Sequence, residues 1–112
     1  MFRRCVHPGL ILKLELEELG ITPTRFARLI DVPPNRVSQI IAGKRSVTAD
    51  TALRIAHWFG MEPAFWMNLQ AQFDLVMADK EFGQRVRQLP TKASDTALSG
   101  KPAPETGSRV TG

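Results

Sequence analysis

An all-α fold of five helices, closed by a disordered tail, is what this 112-residue sequence predicts. Three observations carry that reading. Proline and glycine punctuate the first 90 residues at helix-length intervals, with Thr22 and Thr48 standing where N-caps belong. Between these marks the apolar residues recur at three and four positions, the period of a helix with one buried face. Beyond Pro90 the chain turns to Pro, Gly, Ser and Thr and offers almost nothing to bury. The expected organisation is one domain over residues 1–89 and a disordered tail over 90–112.

Taken in order, residues 1–7 form a short arm in which Arg3 and Arg4 are candidate phosphate contacts or solvated charges. The first helix starts at His7-Pro8-Gly9 and ends at Gly20, with Ile11, Leu12, Leu16 and Leu19 as its core stripe. Lys13 and Glu17 form an i, i+4 pair of opposite charge. Leu10 and Leu14 lie off that stripe, as peripheral packing or as part of a protein interface. The second helix runs from about Thr24 to Ile30, capped by Thr22 with Pro23 at its first turn, and buries Phe26, Ala27 and Ile30. Asp31-Val32-Pro33-Pro34 ends it, because a residue before proline is pushed out of the α region. A third helix follows from Pro34 to about Ala42, and Gly43 closes it.

That third helix carries the chemistry. At about 100° per residue, Val37, Ile40 and Ile41 fall on one side. Asn35, Gln39 and Ala42 fall opposite, flanked by Arg36 and Ser38. This outer face makes hydrogen bonds and is free of acids. Asn and Gln suit an adenine edge, and Arg suits a guanine edge or a phosphate. A solvated polar face is the plainer alternative, and the charge distribution argues against it. Residues 22–45 hold Arg25, Arg28, Arg36, Lys44 and Arg45 against the single acid Asp31, a local net charge of +4. The rest of the chain balances ten basic with ten acidic residues, so the whole excess of +4 sits on this unit.

The fourth helix runs from Ala49 to Phe59 with Thr48 as N-cap, Asp50 in its first turn and Gly60 at its end. Ala52, Leu53, Ala56 and Phe59 are expected in the core, with His57 on the surface and Trp58 partly exposed. The fifth begins at Pro63 and runs to about Ala78; residues 79–89 extend it only weakly, since Gly83 favours fraying. Phe65, Trp66, Leu69, Phe73 and Val76 form an apolar stripe, and Phe65, Trp66, Phe73 and Met77 supply more large apolar surface than so small a domain needs inside. Dimerisation is therefore assigned to Trp58, Phe65, Trp66, Leu69 and Phe73.

Several classes of function find no support. The lone Cys5 makes no intramolecular disulfide, which is consistent with a reducing cytoplasm, and with only His7 and His57 beside it a zinc site lacks ligands. No apolar run approaches the ~20 residues of a membrane span, and no signal peptide is seen. There is no glycine-rich phosphate loop and no Ser/His/Asp set, so neither an enzyme, a cofactor nor a small-molecule substrate is expected.

The motifs His7-Pro8-Gly9, Phe26-Ala27, Asn35-Arg36-Val37-Ser38, Ile40-Ile41-x-Gly43-Lys44-Arg45, Thr48-Ala49-Asp50-Thr51-Ala52-Leu53-Arg54 and Phe65-Trp66-x-Asn68-Leu69-Gln70 stand in order. Together they resemble the HigA-family antitoxins, helix-turn-helix proteins of the phage-repressor-like class, over roughly residues 6 to 78. The resemblance implies a cytoplasmic, nucleoid-associated homodimer that binds a palindromic operator in double-stranded DNA and represses its own operon. It also implies direct neutralisation of a HigB-like toxin, an mRNA-cleaving protein of the RelE type. By position, Pro34, Asn35 and Gln39 match base-facing residues. Thr22, Thr24, Arg36, Lys44 and Arg45 match backbone-facing ones, and Ser38 lies on the same face. Leu10 and Leu14 depart from the family pattern, which usually carries charge there, and are the candidate toxin contacts. Two other readings stand beside this one: a helix-turn-helix regulator with no toxin partner, and a protein-interaction module with no role at DNA.

Overall fold

The computed structural model describes residues 6–93 of the 112-residue chain. Arg3, Arg4 and Cys5, and the expected tail from residue 94 onward, lie outside the described residues. Five helices are described: α1 (Pro8–Leu19), α2 (Pro23–Leu29), α3 (Pro34–Ile41), α4 (Ala49–Phe59) and α5 (Pro63–Arg87). The fold class is all-α, as expected.

The starts follow from local chemistry. His7 Nδ1 accepts from the Gly9 N–H at 2.9 Å, Thr22 Oγ1 from the Arg25 N–H at 3.1 Å, and Thr48 Oγ1 from the Thr51 N–H at 3.5 Å. Each meets a donor that the first helical turn leaves unpaired. Proline at the first turn of α1, α2 and α3 needs no such partner.

The ends share one device. At Gly20, Asp31, Gly43 and Gly60 the backbone turns left-handed, with φ of 69°, 61°, 76° and 70°. Two amides then fold back on the last carbonyls. In α1 these bonds are Gly20 N–H to Glu17 O and Ile21 N–H to Leu16 O. In α2 the left-handed residue is Asp31, a short polar side chain tolerated there at some cost.

The first compact unit spans residues 1–79. Its core joins Leu12 and Leu16 of α1, Phe26 and Ala27 of α2, Val37 and Ile40 of α3, Ala52, Ile55 and Ala56 of α4, and Trp66 of α5. Phe26 meets Trp58 edge-to-face at 5.3 Å between ring centroids, and Phe59 lies 6.3 Å from Trp66, so aromatic rings tie α2 to α4 and α4 to α5. Among the described residues Trp66 Nε1 is buried and finds no hydrogen-bond acceptor.

One glycine decides how α1 meets α3. A Cβ on Gly9 would stand 1.8 Å from the carbonyl oxygen of Ile40. Only a residue without a side chain lets the start of α1 lie against the end of α3. The His7-Pro8-Gly9 sequence is therefore both a helix start and a contact.

Two expected core residues are outside. Leu19 is 51 % exposed, because the left-handed turn at Gly20 lays Ile21 on the core instead. Leu53 is 58 % exposed, and Ile55 takes its place inside. The buried set of α4 is Thr51, Ala52, Ile55 and Ala56, a stripe whose phase leaves Leu53 on the outside.

The second unit spans residues 80–112, and its described part is the end of α5 and the turn after it. The helix passes through Gly83 to Arg87, so the expected stop near Ala78 falls about two turns short. A glycine costs a helix about 1 kcal/mol relative to alanine and does not break it. Gln88 and Leu89 close the last turn onto Arg85 and Val86. Among the described residues no helix is long and apolar enough to cross a membrane.

Candidate nucleic-acid interface

Helix α3 presents the face its sequence implied. Val37 and Ile40 are buried, Ile41, Arg36 and Gln39 are half-buried, and Asn35, Ser38 and Ala42 are exposed. Pro33 stands at its N-cap and gives no side-chain hydrogen bond. Pro34 has no N–H and the Arg36 N–H donates to the Pro33 carbonyl at 3.0 Å, so the Asn35 amide is the first-turn donor left for an outside acceptor such as a phosphate or a base edge. Ser38 Oγ donates to the Asn35 carbonyl at 3.2 Å, which fixes its hydroxyl proton and leaves its lone pairs outward.

The loop after α3 is held from three sides. Lys44 N–H donates to the Gln39 carbonyl at 2.8 Å across the left-handed Gly43. Arg45 Nε donates to Gln39 Oε1 at 2.9 Å. Val47 N–H donates to Gln70 Oε1 at 2.8 Å, and the Gln70 amino group donates to Asp74 Oδ1 at 2.9 Å. Among the described residues Gln70 is one of two buried polar side chains, and it serves as a strut from α5 to the loop. The basic residues Lys44 and Arg45 are exposed on a backbone with little freedom.

Arg36 is placed differently from a free phosphate contact. Its Nη1 meets Asp50 Oδ2 at 3.2 Å. Arg54 Nε meets the other oxygen, Asp50 Oδ1, at 3.0 Å. Arg54 Nη1 also donates to the carbonyls of Ile30 and Asp31, each at 3.0 Å. Asp50 thus links α3 to α4, and Arg54 clamps the turn between α2 and α3. Thr22 uses its hydroxyl to cap α2, while Thr24 is exposed in its first turn.

The protein-facing candidates do not form one patch. Trp66 is 1 % exposed and belongs to the core, with no free surface to offer a second chain. Phe65, Leu69 and Phe73 line a groove of about 360 Å³ with Val6, Asn68 and Gln72. Trp58 lies elsewhere, with Leu29, Leu53 and His57 around a groove of about 300 Å³. Leu10 and Leu14 are both exposed, at 46 % and 53 %, four residues apart on α1.

His7 sits between the groove and α1. Its ring stands edge-on to Phe73 at 4.8 Å. Burial pushes its pKa below the ordinary 6.5, while the nearby Asp74 carboxylate pulls the other way. The neutral ring is the one that can cap α1, because Nδ1 must accept.

This geometry is shared. A helix-turn-helix family model matches residues 12–66. An addiction module antidote protein of a HigA family, from Coxiella burnetii, superposes with a TM-score of 0.77 at 44 % identity, over 80 % of this chain and 98 % of that one. This chain belongs to the HigA family. Antitoxin HigA-1 of Vibrio cholerae is 42 % identical over 74 residues, 65 % of this chain and 70 % of that one. The Pseudomonas aeruginosa antitoxin HigA, solved with the higBA promoter, superposes with a TM-score of 0.76 at 34 % identity, over 80 % of this chain and 99 % of that one. As a HigA-type helix-turn-helix chain, it is a DNA-binding protein.

Three residues that position the HigA-type unit carried no sequence signal strong enough to assign them. Gly9 read as a helix start, and only the fold shows the Ile40 carbonyl against it. Arg54 stands four residues after Asp50, a legible ion pair, but its reach to Ile30 and Asp31 crosses 24 and 23 residues. Gln70 was visible as a polar residue one turn after Trp66, within the core stripe of α5. A polar residue there is the one available hint of a buried hydrogen bond.

Proposed function

We propose that the chain is the antitoxin and autorepressor of a toxin–antitoxin pair. One copy of α3 enters the major groove in each half of a palindromic operator, about one helical turn apart. Asn35, Gln39 and the N-terminal Pro34 face the bases, with Ser38 beside them. Lys44 and Arg45 grip phosphates from the braced loop, with Thr22 and Thr24 on the neighbouring strand. Arg36 joins them after exchanging Asp50 for a phosphate. The observation that carries this reading is the acid-free polar face of α3, followed directly by a loop tied to Gln39 and Gln70. A DNA partner implies a cytoplasmic, nucleoid-associated protein.

The groove lined by Phe65, Leu69 and Phe73 is the proposed dimer seam, and Leu10 and Leu14 on α1 are the proposed contacts with a HigB-like, RelE-type toxin. A gene for a small basic toxin beside this one supports that pairing, and its absence supports a repressor without a toxin.

Two assays test the assignment. In operator titrations across a salt series, Lys44→Ala should weaken all sequences alike and lower the salt slope by about 1. When toxin and chain are co-expressed, Leu10→Glu/Leu14→Glu should lose the toxin. An unchanged slope removes Lys44 from the backbone contacts, and full retention of the toxin removes α1 from its interface.

A further inference from the structure

The bond between Arg45 and Gln39 says more than that the loop is rigid. Arginine can only donate, so the Gln39 atom facing Arg45 Nε at 2.9 Å must be the amide oxygen. The orientation of that amide is thereby fixed by chemistry. The main chain holds the same residue, since the Gln39 carbonyl accepts from the Lys44 N–H at 2.8 Å. Position 39 is pinned at both its backbone and its side chain to the turn that follows the helix. The end of the amide not held by Arg45 is the Nε2 amino group, which only donates.

A free glutamine reads adenine by doing two things at once, accepting from N6 and donating to N7. The Gln39 oxygen keeps a second lone pair, but the bond to Arg45 fixes where that oxygen points, so the Nε2 amino group is the end left to approach a base edge. We propose that Arg45 is a specificity-determining residue: by holding the Gln39 oxygen toward the loop it makes the amino group the leading end of the reader, which favours a base edge made of acceptors, guanine O6 and N7 or thymine O4, over adenine. This rests on α3 being the helix that reads the operator. It replaces the adenine preference that the residue type alone suggests. It also gives Arg45 two tasks, since its Nη groups remain for a phosphate while Nε aims Gln39.

The test selects binding sites from a random-sequence duplex library with three full-length proteins: wild type, Arg45→Met and Gln39→Ala. Arg45 is exposed, so the methionine variant keeps the fold, which a thermal melt verifies. Wild type should enrich guanine or thymine over adenine at one position in each half-site. Arg45→Met should bind every site more weakly and shift that position toward adenine by about tenfold. Gln39→Ala should make the position indifferent. Adenine already preferred by wild type would overturn the proposal. So would an Arg45→Met variant that loses affinity with its preference unchanged, which is the behaviour of a phosphate contact alone. If wild type enriches no sequence at all, the assignment of α3 to DNA falls with it. A second measurement needs no DNA. In the free protein the Gln39 side-chain amide should be ordered by ¹⁵N relaxation and should lose that order in Arg45→Met. Equal order in both variants overturns the proposed restraint.

Discussion

The α3 face and the apolar faces of α1 and α5 are both exposed, but they are built by opposite means. At α3, directional bonds fix the polar groups: Ser38 is tied to the Asn35 carbonyl, Gln39 to Arg45, and the loop to Gln70. Leu10, Leu14 and the groove of Phe65, Leu69 and Phe73 offer apolar surface instead. Hydrophobic burial is non-directional and scales with area, whereas a hydrogen bond fails outside a narrow range of distance and angle. A surface that must tell one base edge from another needs directional hydrogen bonds. A surface that must hold a protein can be assembled from apolar area. The contrast explains why position and residue type together point to DNA at α3, while the apolar faces name no partner by themselves.

The comparison breaks most readily at Gly9. Gly9→Ala sets a methyl group against the Ile40 carbonyl, so α1 and α3 must part. Denaturant unfolding should show a loss of about 1–3 kcal/mol, the usual penalty of overpacking. Specific operator binding should fall as well, at temperatures where the variant is still folded, because Ile40 belongs to the helix proposed to read the operator. Gln70→Leu should come next. It leaves the buried Val47 amide unpaired, at a cost of about 1–3 kcal/mol. Operator affinity should drop with it while the apolar faces keep their shape.

The smallest effect concerns pH. Burial holds the folded-state pKa of His7 below 6.5, so the unfolded chain takes up its proton first as pH falls. The contribution of the neutral cap is therefore fully present above about pH 6.5. It is lost progressively as pH drops below that value toward the folded-state pKa. A His7→Asn variant keeps a capping oxygen and does not titrate. Its unfolding free energy should fall less steeply between pH 7 and pH 5 than that of the wild type. Identical slopes would mean that His7 does not titrate differently in the two states.

The fold was largely legible because its punctuation is local. Thr22, Thr48, Gly20, Gly43 and Gly60 act within a turn of themselves, and the structure starts helices after the two threonines and ends them at the three glycines. What was not legible depends on distance or phase. Gly83 suggests fraying beyond Ala78, but its modest cost is absorbed by a long helix. Leu53 reads as a core residue, although the phase set by Ala52 and Ala56 gives the interior to Ile55. Trp66 reads as surplus apolar surface for an interface, and its size is what fills the core. At the candidate site the face of α3 was readable from its period. The partners of its side chains were not. Arg45 reaches Gln39 across six residues and a left-handed turn, and Arg36 reaches Asp50 across fourteen, spacings that no helical period predicts.

The division of labour between the two kinds of surface is tested most directly by one titration of operator and unrelated duplex at fixed salt. Gln39→Ala should lose about 1–3 kcal/mol of operator binding and almost nothing on unrelated DNA. Leu10→Glu/Leu14→Glu should bind both duplexes as the wild type does. If Gln39→Ala keeps its discrimination, or the α1 variant loses it, α3 is not the surface that reads the sequence.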